Sequence, residues 1–577
     1  MDSLTAIFNR LKTPGKSKYL TVLALVVGAV AGVAAFIFVR LTELVHLYVN
    51  HLAQWHTSLL SRVVLILAPA AGGWVAGWLI QKYALAYRGT GTAQVIYSIR
   101  RRTGHIPTIV TIAKTLASAL TIGTGGSAGP EGPAVQIGAG IGSTIGRWRR
   151  LPPDYLRTLV AAGAAAGIAA VFNAPIAGVM YALEVLLRQI ASQSFVVVVL
   201  STVTASIVSY ALIGHRIFLK APAFYTGHPA EWIAYLVLGV LAAFAARFFT
   251  AIYLSVEKRF SELSNWSIAA RAMLGGLLVG ILGFAWPDIL GSGRGIVLTT
   301  LQAGPSVQFG VFLCLLLLIG KMLATSFSLG SGGSGGLFVP TLSMGALLGA
   351  LVGKGVHLAL PQAAPIWAYA LLGMGAMFAG FTYAPFTSVL LLFEMTNDYP
   401  IVLPLMAIVG VTMIVSRTLD RNSLDAHELG RKGLRLHEDV ELAALEHVTA
   451  QEVMASPVES IPEGMLLKDV AQWMAQKSHS GAPVNNESGE IVGFITLNEL
   501  HEAYSETDEL SEICVAKDVM RMDFPIMHPA ESLTEAVRRM QKENIDRILV
   551  VDPAQTDRAL GIITKSDVLK IYHRLLK

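Results

Sequence analysis

Charge is scarce in this chain. Of its 577 residues only 14% are Asp, Glu, Lys or Arg, where a soluble protein would carry about a quarter. The scarcity is uneven. Between Arg102 and Asp420 the acids are Glu131, Asp154, Glu184, Glu231, Glu257, Glu262, Asp288, Glu394 and Asp398 and no others. A water-soluble body over that stretch is excluded. Clustered intramembrane acids, which a magnesium transporter would need, are missing too. Cysteine is almost absent: Cys314 and Cys514 offer neither a disulfide framework nor a metal-ligand spacing. No His-Glu-x-x-His occurs, since His427-Glu428 lacks the second histidine, and this excludes a metalloprotease of that type. The net charge of +5 is modest for the length. The clusters Arg100–Arg102 and Arg147, Arg149 and Arg150 fit the setting of membrane topology, and no nucleic-acid partner is expected. Neither an enzyme nor a metal or resident cofactor is expected.

Long apolar runs are plentiful: Leu20–Val39, Val63–Ile80, Val196–Ile213, Trp232–Phe244, Phe309–Ile319 and Ile401–Val415. Some reach the roughly 17–25 residues that span a bilayer, and others are cut short by Gly and Pro. The pattern predicts a polytopic α-helical protein of the lipid bilayer, some of whose helices stop inside the membrane. Basic residues Arg10, Lys12, Lys16 and Lys18 lead into a run too long for a signal peptide. By the positive-inside rule they keep the N-terminus cytoplasmic. Charge becomes dense after Asp420. The domains expected are a transmembrane domain over 1–433, a connector over 434–447, and a soluble, cytoplasmic tail in two copies, 448–505 and 513–577. A bacterial inner or plasma membrane is the expected location.

The membrane half repeats itself. Ile112–Pro133, IAKTLASALTIGTGGSAGPEGP, aligns without a gap on Ile319–Pro340, IGKMLATSFSLGSGGSGGLFVP; Lys114 falls on Lys321, Ser127 on Ser334 and Glu131 on Phe338. Farther on, Gly163–Glu184 matches Gly373–Glu394, with Pro175 on Pro385. Duplicated halves with Gly/Pro-broken segments at matching positions mark a transport protein whose site lies at the repeat interface. Irregular backbone at membrane depth persists only where it is buried in protein or lines a watery path. The N-terminal ends of such helices present unpaired N–H groups and the positive end of the dipole. The site therefore suits an anion.

GPEGP (Gly129–Pro133) resembles the GxEGP motif of CLC chloride channels and transporters, and GLFVP (Gly336–Pro340) resembles their GxFxP motif. GTGTA (Gly89–Ala93) stands where that family usually has GSGIP, and FNAPIAG and Glu394-Met395-Thr396 fit as well. The resemblance implies a homodimer of subunits with one pore each, built from inverted-topology halves. It implies a chloride site formed by Thr90, Gly129, Pro130, Glu131, Gly132, Leu337 and Phe338. Glu131 would be the gate: ionised, its carboxylate competes for the anion site, and protonated or displaced it opens the path. Glu184 and Glu394, being repeat partners, are expected to accept hydrogen bonds from backbone at the broken helices. Directly after Glu184, where proton-coupled relatives commonly carry a second glutamate, this chain has Val185. A valine cannot titrate, which favours passive conduction over proton-coupled antiport; transport of another small anion is a further alternative. At the position of the family's pore tyrosine the chain reads Ser423-Leu424-Asp425. Asp425 would repel an anion unless it points away, is paired with Arg417 or Arg421, or is protonated.

The tail repeats as well: AQEVMASPVESI with GEIVGFITLNEL is echoed by AKDVMRMDFPIM with DRALGIITKSDVL. Amphipathic helices are predicted over Leu467–Gln476 and Leu533–Gln541. The pattern resembles a CBS-domain pair, an α/β module that often binds adenine nucleotides. The resemblance implies phosphate and ribose contacts from Thr564 and Asp567; the first copy has Thr496 and Glu499 instead.

Overall fold

A computed structural model of the chain describes residues 16–54, 58–188, 192–214, 224–225, 228–302, 310–434, 445, 448–477, 480–506, 513–543, 545–553 and 555–575. The chain divides into two compact units, Met1–Leu434 and Arg435–Lys577.

The first unit is helical. Among the described residues nine helices are long and apolar enough to cross a membrane, and four apolar helices are shorter. They differ in depth. For the helix Pro153–Phe172, 83% of its most apolar window is buried inside the protein, against 39% for Val63–Tyr83. The first is therefore a central helix and the second an outer one. Large apolar side chains such as Leu44, Trp74, Ile207 and Ile233 lie exposed on the outer helices, as a lipid-facing surface requires.

The helices break at matched positions. Pro153–Phe172 ends on Asn173 at φ 52, and Ile366–Thr382 ends on Tyr383 at φ 59, both left-handed. Each is followed after one alanine by a proline that opens the next helix, Pro175–Tyr181 or Pro385–Thr396. A left-handed terminal residue ends a helix, and a proline is suited to the first position of a new one. Left-handed backbone is unfavourable for a tyrosine. The Tyr383 hydroxyl is anchored to the carbonyls of Ser416 and Asp420 at 3.1 and 2.7 Å.

The two halves meet through bonds that exchange under the repeat. Ser127 Oγ lies 2.8 Å from Thr325 Oγ1, and its repeat partner Ser334 lies 2.8 Å from Ser118 Oγ. The Ser127 N–H donates to Ser328 Oγ at 2.8 Å and the Ser334 N–H to Thr121 Oγ1 at 3.3 Å. Between them, Gly129 and Gly336 donate to each other's carbonyls, both at 2.8 Å. When residue i of one half meets j of the other, and the partner of j meets the partner of i, the halves are related by an approximate two-fold axis. Gly129 and Gly336 sit on it.

The buried lysines obey the same relation. Lys114 Nζ donates to the carbonyls of Tyr87 and Gly89 at 2.9 and 3.1 Å; Lys321 Nζ donates to those of Ile289 and Gly291 at 2.8 and 2.7 Å. Each ammonium ties down a short 3-10 turn, Leu85–Tyr87 or Pro287–Ile289, ahead of a glycine-rich segment. A buried ammonium needs such partners to offset its lost hydration. The second half's glycine-rich segment, Gly291-Ser292-Gly293, is thereby the counterpart of Gly89-Thr90-Gly91.

The second unit contains two three-stranded sheets. In one, β1 (Ile461–Pro462) runs parallel to β2 (Gly481–Asn485), and β2 is antiparallel to β3 (Ile491–Thr496). In the other, β4 (Ile526–Met527), β5 (Arg547–Asp552) and β6 (Gln555–Thr564) repeat that order and sense. The helices Leu467–Lys477 and Leu533–Lys542 lie one residue from the predicted limits. The copies exchange edges: Ala455 pairs with Ile562 of β6, and Arg521 with Phe494 of β3. The tail is thus one body of two interlocked copies.

Candidate functional site

Glu131 is the first residue of the helix Glu131–Trp148, and its side chain is fully buried. Its Oε1 accepts the N–H of Phe338, the first residue of the helix Phe338–Ala359. Oε2 is also buried and makes no hydrogen bond among the described residues. The carboxylate therefore stands at the positive end of another helix, where an anion would be held. Room for it comes from the two glycines on the axis. A Cβ on Gly129 would lie 2.1 Å from Oε2, and one on Gly336 would lie 2.4 Å from Oε1. Pro130 and Leu337 are the residues capping the two helices. Thus Gly129, Pro130, Glu131, Gly132, Leu337 and Phe338, all predicted from the motifs, come together around one carboxylate.

A hydroxyl pair that the motifs did not reveal stands beside this locus. The Phe338 ring packs edge-on against Tyr181 and Phe378, with centroids 5.4 and 4.7 Å away. The Tyr181 hydroxyl, fully buried, lies 2.6 Å from Thr92 Oγ1. Tyr181 belongs to the apolar run after Pro175, and nothing polar flanks it in sequence.

Thr90 is differently engaged than expected. Its hydroxyl donates to Glu428 Oε2 at 2.6 Å and lies 3.1 Å from Asp425 Oδ1, and its N–H lies 3.1 and 3.2 Å from the two oxygens of Glu428. Asp425 does not point away: it turns to Thr90. Its helix, Leu424–Gly430, begins behind the cap Ser423, so Asp425 and Glu428 lie one turn apart on the same face. Glu428 had drawn notice only as part of a missing metal motif.

Val185 lies in a π-helical turn, Ala182–Leu187, and is buried. Glu184 beside it accepts from the N–H groups of Phe386 and Thr387 at 3.1 and 2.8 Å and from the Thr387 hydroxyl at 2.7 Å. Glu394 accepts from Ile176 and Ala177 at 2.9 and 2.7 Å. The expected backbone-capping role of both glutamates is thus what the structure has.

Two cavities reach toward this region. One, of about 430 Å³, is lined by Pro130 and Val339, the neighbours of Glu131 and Phe338, with Arg40, Arg294 and Ser292. The other, of about 310 Å³, is lined by Gly89, Ser334 and Glu428, with Lys114, Arg271 and Lys432. In the tail, Thr564 N–H and hydroxyl bond Asp567 Oδ2 at 3.2 and 2.7 Å, closing the first turn of the helix Lys565–Leu575. Thr496 and Glu499 make the same bonds in the other copy. The predicted nucleotide contacts are thus brought together, here bonded to each other. Among the described residues no group of three or more His, Cys, Asp or Glu is placed to hold a metal ion.

Comparison with known proteins now adds to this geometry. The family model for the voltage gated chloride channel matches residues 72–417, and the CBS domain model matches 450–506 and 516–574. A putative chloride channel protein ClcB-like from Ralstonia nicotianae is 36% identical over 380 residues, 63% of this chain and 87% of that protein. Chloride channel protein CLC-e of Arabidopsis thaliana is 31% identical over 525 residues, 87% of this chain and 68% of the relative. Among solved structures, a slow cyanobacterial Cl–/H+ antiporter matches with a TM-score of 0.66 at 27% identity, over 72% of this chain and 97% of its own. The broken repeat, the paired helix starts and the matched span agree: the chain belongs to the voltage gated chloride channel (CLC) family of multi-pass membrane proteins, and it ends in a pair of CBS domains.

Proposed function

We propose that the protein is a chloride channel that conducts passively through each subunit of a homodimer, with Glu131 as its voltage- or pH-sensitive gate. The observation that carries this reading is the buried Glu131 carboxylate on the N–H of Phe338. Chloride and that carboxylate are both anions suited to one helix terminus, so one excludes the other. Backbone N–H of Leu337 and Phe338 would hold chloride, with hydroxyl help from the Thr92–Tyr181 pair. Thr90 takes part only when released from Glu428. Val185, apolar and buried, supplies no proton relay. The similarity to a Cl–/H+ antiporter favours a second reading, proton-coupled exchange, and the buried acids Asp425 and Glu428 would then replace the absent glutamate. Transport of a different small anion is a third reading. In the tail, Thr564 and Asp567 would leave each other to hold an adenine nucleotide, with both termini cytoplasmic, as in a bacterial inner or plasma membrane.

Liposome flux tests the gate. Glu131→Gln keeps the shape without the charge and is expected to raise chloride flux and make it nearly independent of pH. In the wild type acid opens the path, because a protonated carboxyl no longer competes with chloride. Unchanged flux and pH response in Glu131→Gln would overturn the gate.

A further inference from the structure

Thr90 caps the helix Gly91–Arg101 in extended conformation, at φ −61 and ψ 144. That helix end is occupied. The Glu428 carboxylate, buried to 7% exposure, takes both the N–H and the hydroxyl of Thr90. The backbone is shaped to admit it: Gly89 stands at φ +107, and a Cβ there would lie 1.6 Å from Glu428 Oε1. The arrangement parallels that of Glu131. In both places a buried carboxylate from another segment covers a helix start, beside a glycine that cannot carry a side chain, next to a cavity. Among the described residues the second half shows no such carboxylate at its counterpart: a Cβ on Gly291, the match of Gly89, would meet nothing within 4 Å. The shared fold therefore does not require Glu428, just as it does not require Glu131.

We infer that Glu428 is a second tethered anion, at the Thr90 end of the path. Its carboxylate fills the place that chloride must take on arriving through the 310 Å³ cavity, and chloride reaches Thr90 only when Glu428 is protonated or swings aside. The cavity suits an arriving anion, since Arg88, Lys114, Arg271, Arg431 and Lys432 line it. Lys432 Nζ, 3.9 Å from Glu428 Oε1 and donating to the Arg88 carbonyl at 3.1 Å, is a cation just past the end of the same helix. Several other groups act on Glu428. Lys114 approaches from the helix Thr108–Gly123, Tyr253 and Glu257 from the helix Glu231–Glu262, and Asp425 from its own helix. Arg431 is already engaged by Glu257 at 2.6 Å. This inference rests on the anion-conducting reading and is separable from the Glu131 gate.

The test uses the full-length protein in liposomes, with chloride varied on one side at a time. Glu428→Gln can still accept from Thr90 but carries no charge. Removing a like charge from an anion site is worth a pKa unit or more, so half-saturating chloride is expected to fall about tenfold. The fall should appear on one side only, and with it the pH dependence on that side should weaken. Unchanged half-saturation on both sides would overturn the inference and leave Glu428 as a cap for Thr90. Should Glu428→Gln fail to fold, the wild type decides: acid on that side alone must lower half-saturating chloride, and no shift overturns the inference. If Glu131→Gln is silent while Glu428→Gln shows the shift, the Glu131 gate fails and this one stands.

Discussion

Glu184 and Glu394, repeat partners, each cap the helix that starts at the other half's matching proline. Glu184 bonds Phe386 and Thr387, and Glu394 bonds Ile176 and Ala177. Two N–H groups at each helix start depend on one side chain. Glu184→Ala or Glu394→Ala is expected to cost about 1–3 kcal/mol through the orphaned donors. Thermal unfolding in detergent should show a lower midpoint for both, with a smaller loss for the Gln variants, which keep one acceptor. Equal midpoints for wild type and the Ala variants would dismiss the capping role.

How much of this was legible follows from sequence distance. The internal alignment exposed the repeat, the broken helices and the pairing of Glu131 with Phe338, because each is written in contiguous motifs. The lysine match was visible, but its partners, carbonyls of turns 25 to 32 residues upstream, carry no side-chain signature. Glu428 was missed because its partner Thr90 lies 338 positions away. A short family alignment pointed to Asp425, and the helix then carries Glu428 to the same face one turn later. Tyr181 was hidden in an apolar run that reads as core packing, and much of it is. Asp425 had three expected fates, and one of them, pointing away, is excluded by its 3.1 Å approach to the Thr90 hydroxyl.

The anion site can be located directly. Crystals of Glu131→Gln soaked in bromide are expected to show an anomalous peak beside the N–H groups of Leu337 and Phe338, weaker or missing in the wild type at neutral pH. A peak elsewhere, with none at these amides, would remove the assignment.

Val185 decides coupling. A chloride gradient across wild-type liposomes is expected to move no protons, and the reversal potential should not respond to a pH gradient. Chloride-driven proton uptake would replace the channel with the exchanger. In that event Glu428→Gln and Asp425→Asn become the variants that should abolish it.

In the tail, Asp567 has two separable roles. As partner of Thr564 at the start of Lys565–Leu575, its loss in Asp567→Ala is expected to cost about 1 kcal/mol, the usual worth of such a cap. As a ribose ligand, its loss should also abolish any rise in melting temperature that ATP or AMP gives the full-length protein. Equal nucleotide shifts in wild type and Asp567→Ala would leave only the cap.

The mutual Gly129–Gly336 bond has one last implication. Were the halves identical, each glycine would face its own copy, and whatever followed it would also face its copy. Two glutamates at that spot would repel each other; two phenylalanines would leave a pair of amides with no carboxylate to receive them. The contact exists because the two copies differ at this position among others, one supplying the N–H of Phe338 and the other the carboxylate of Glu131. The carboxylate at this centre is thus a product of broken symmetry, and Glu131→Phe would restore the symmetry and keep the glycine pair while leaving the Phe338 N–H without its acceptor.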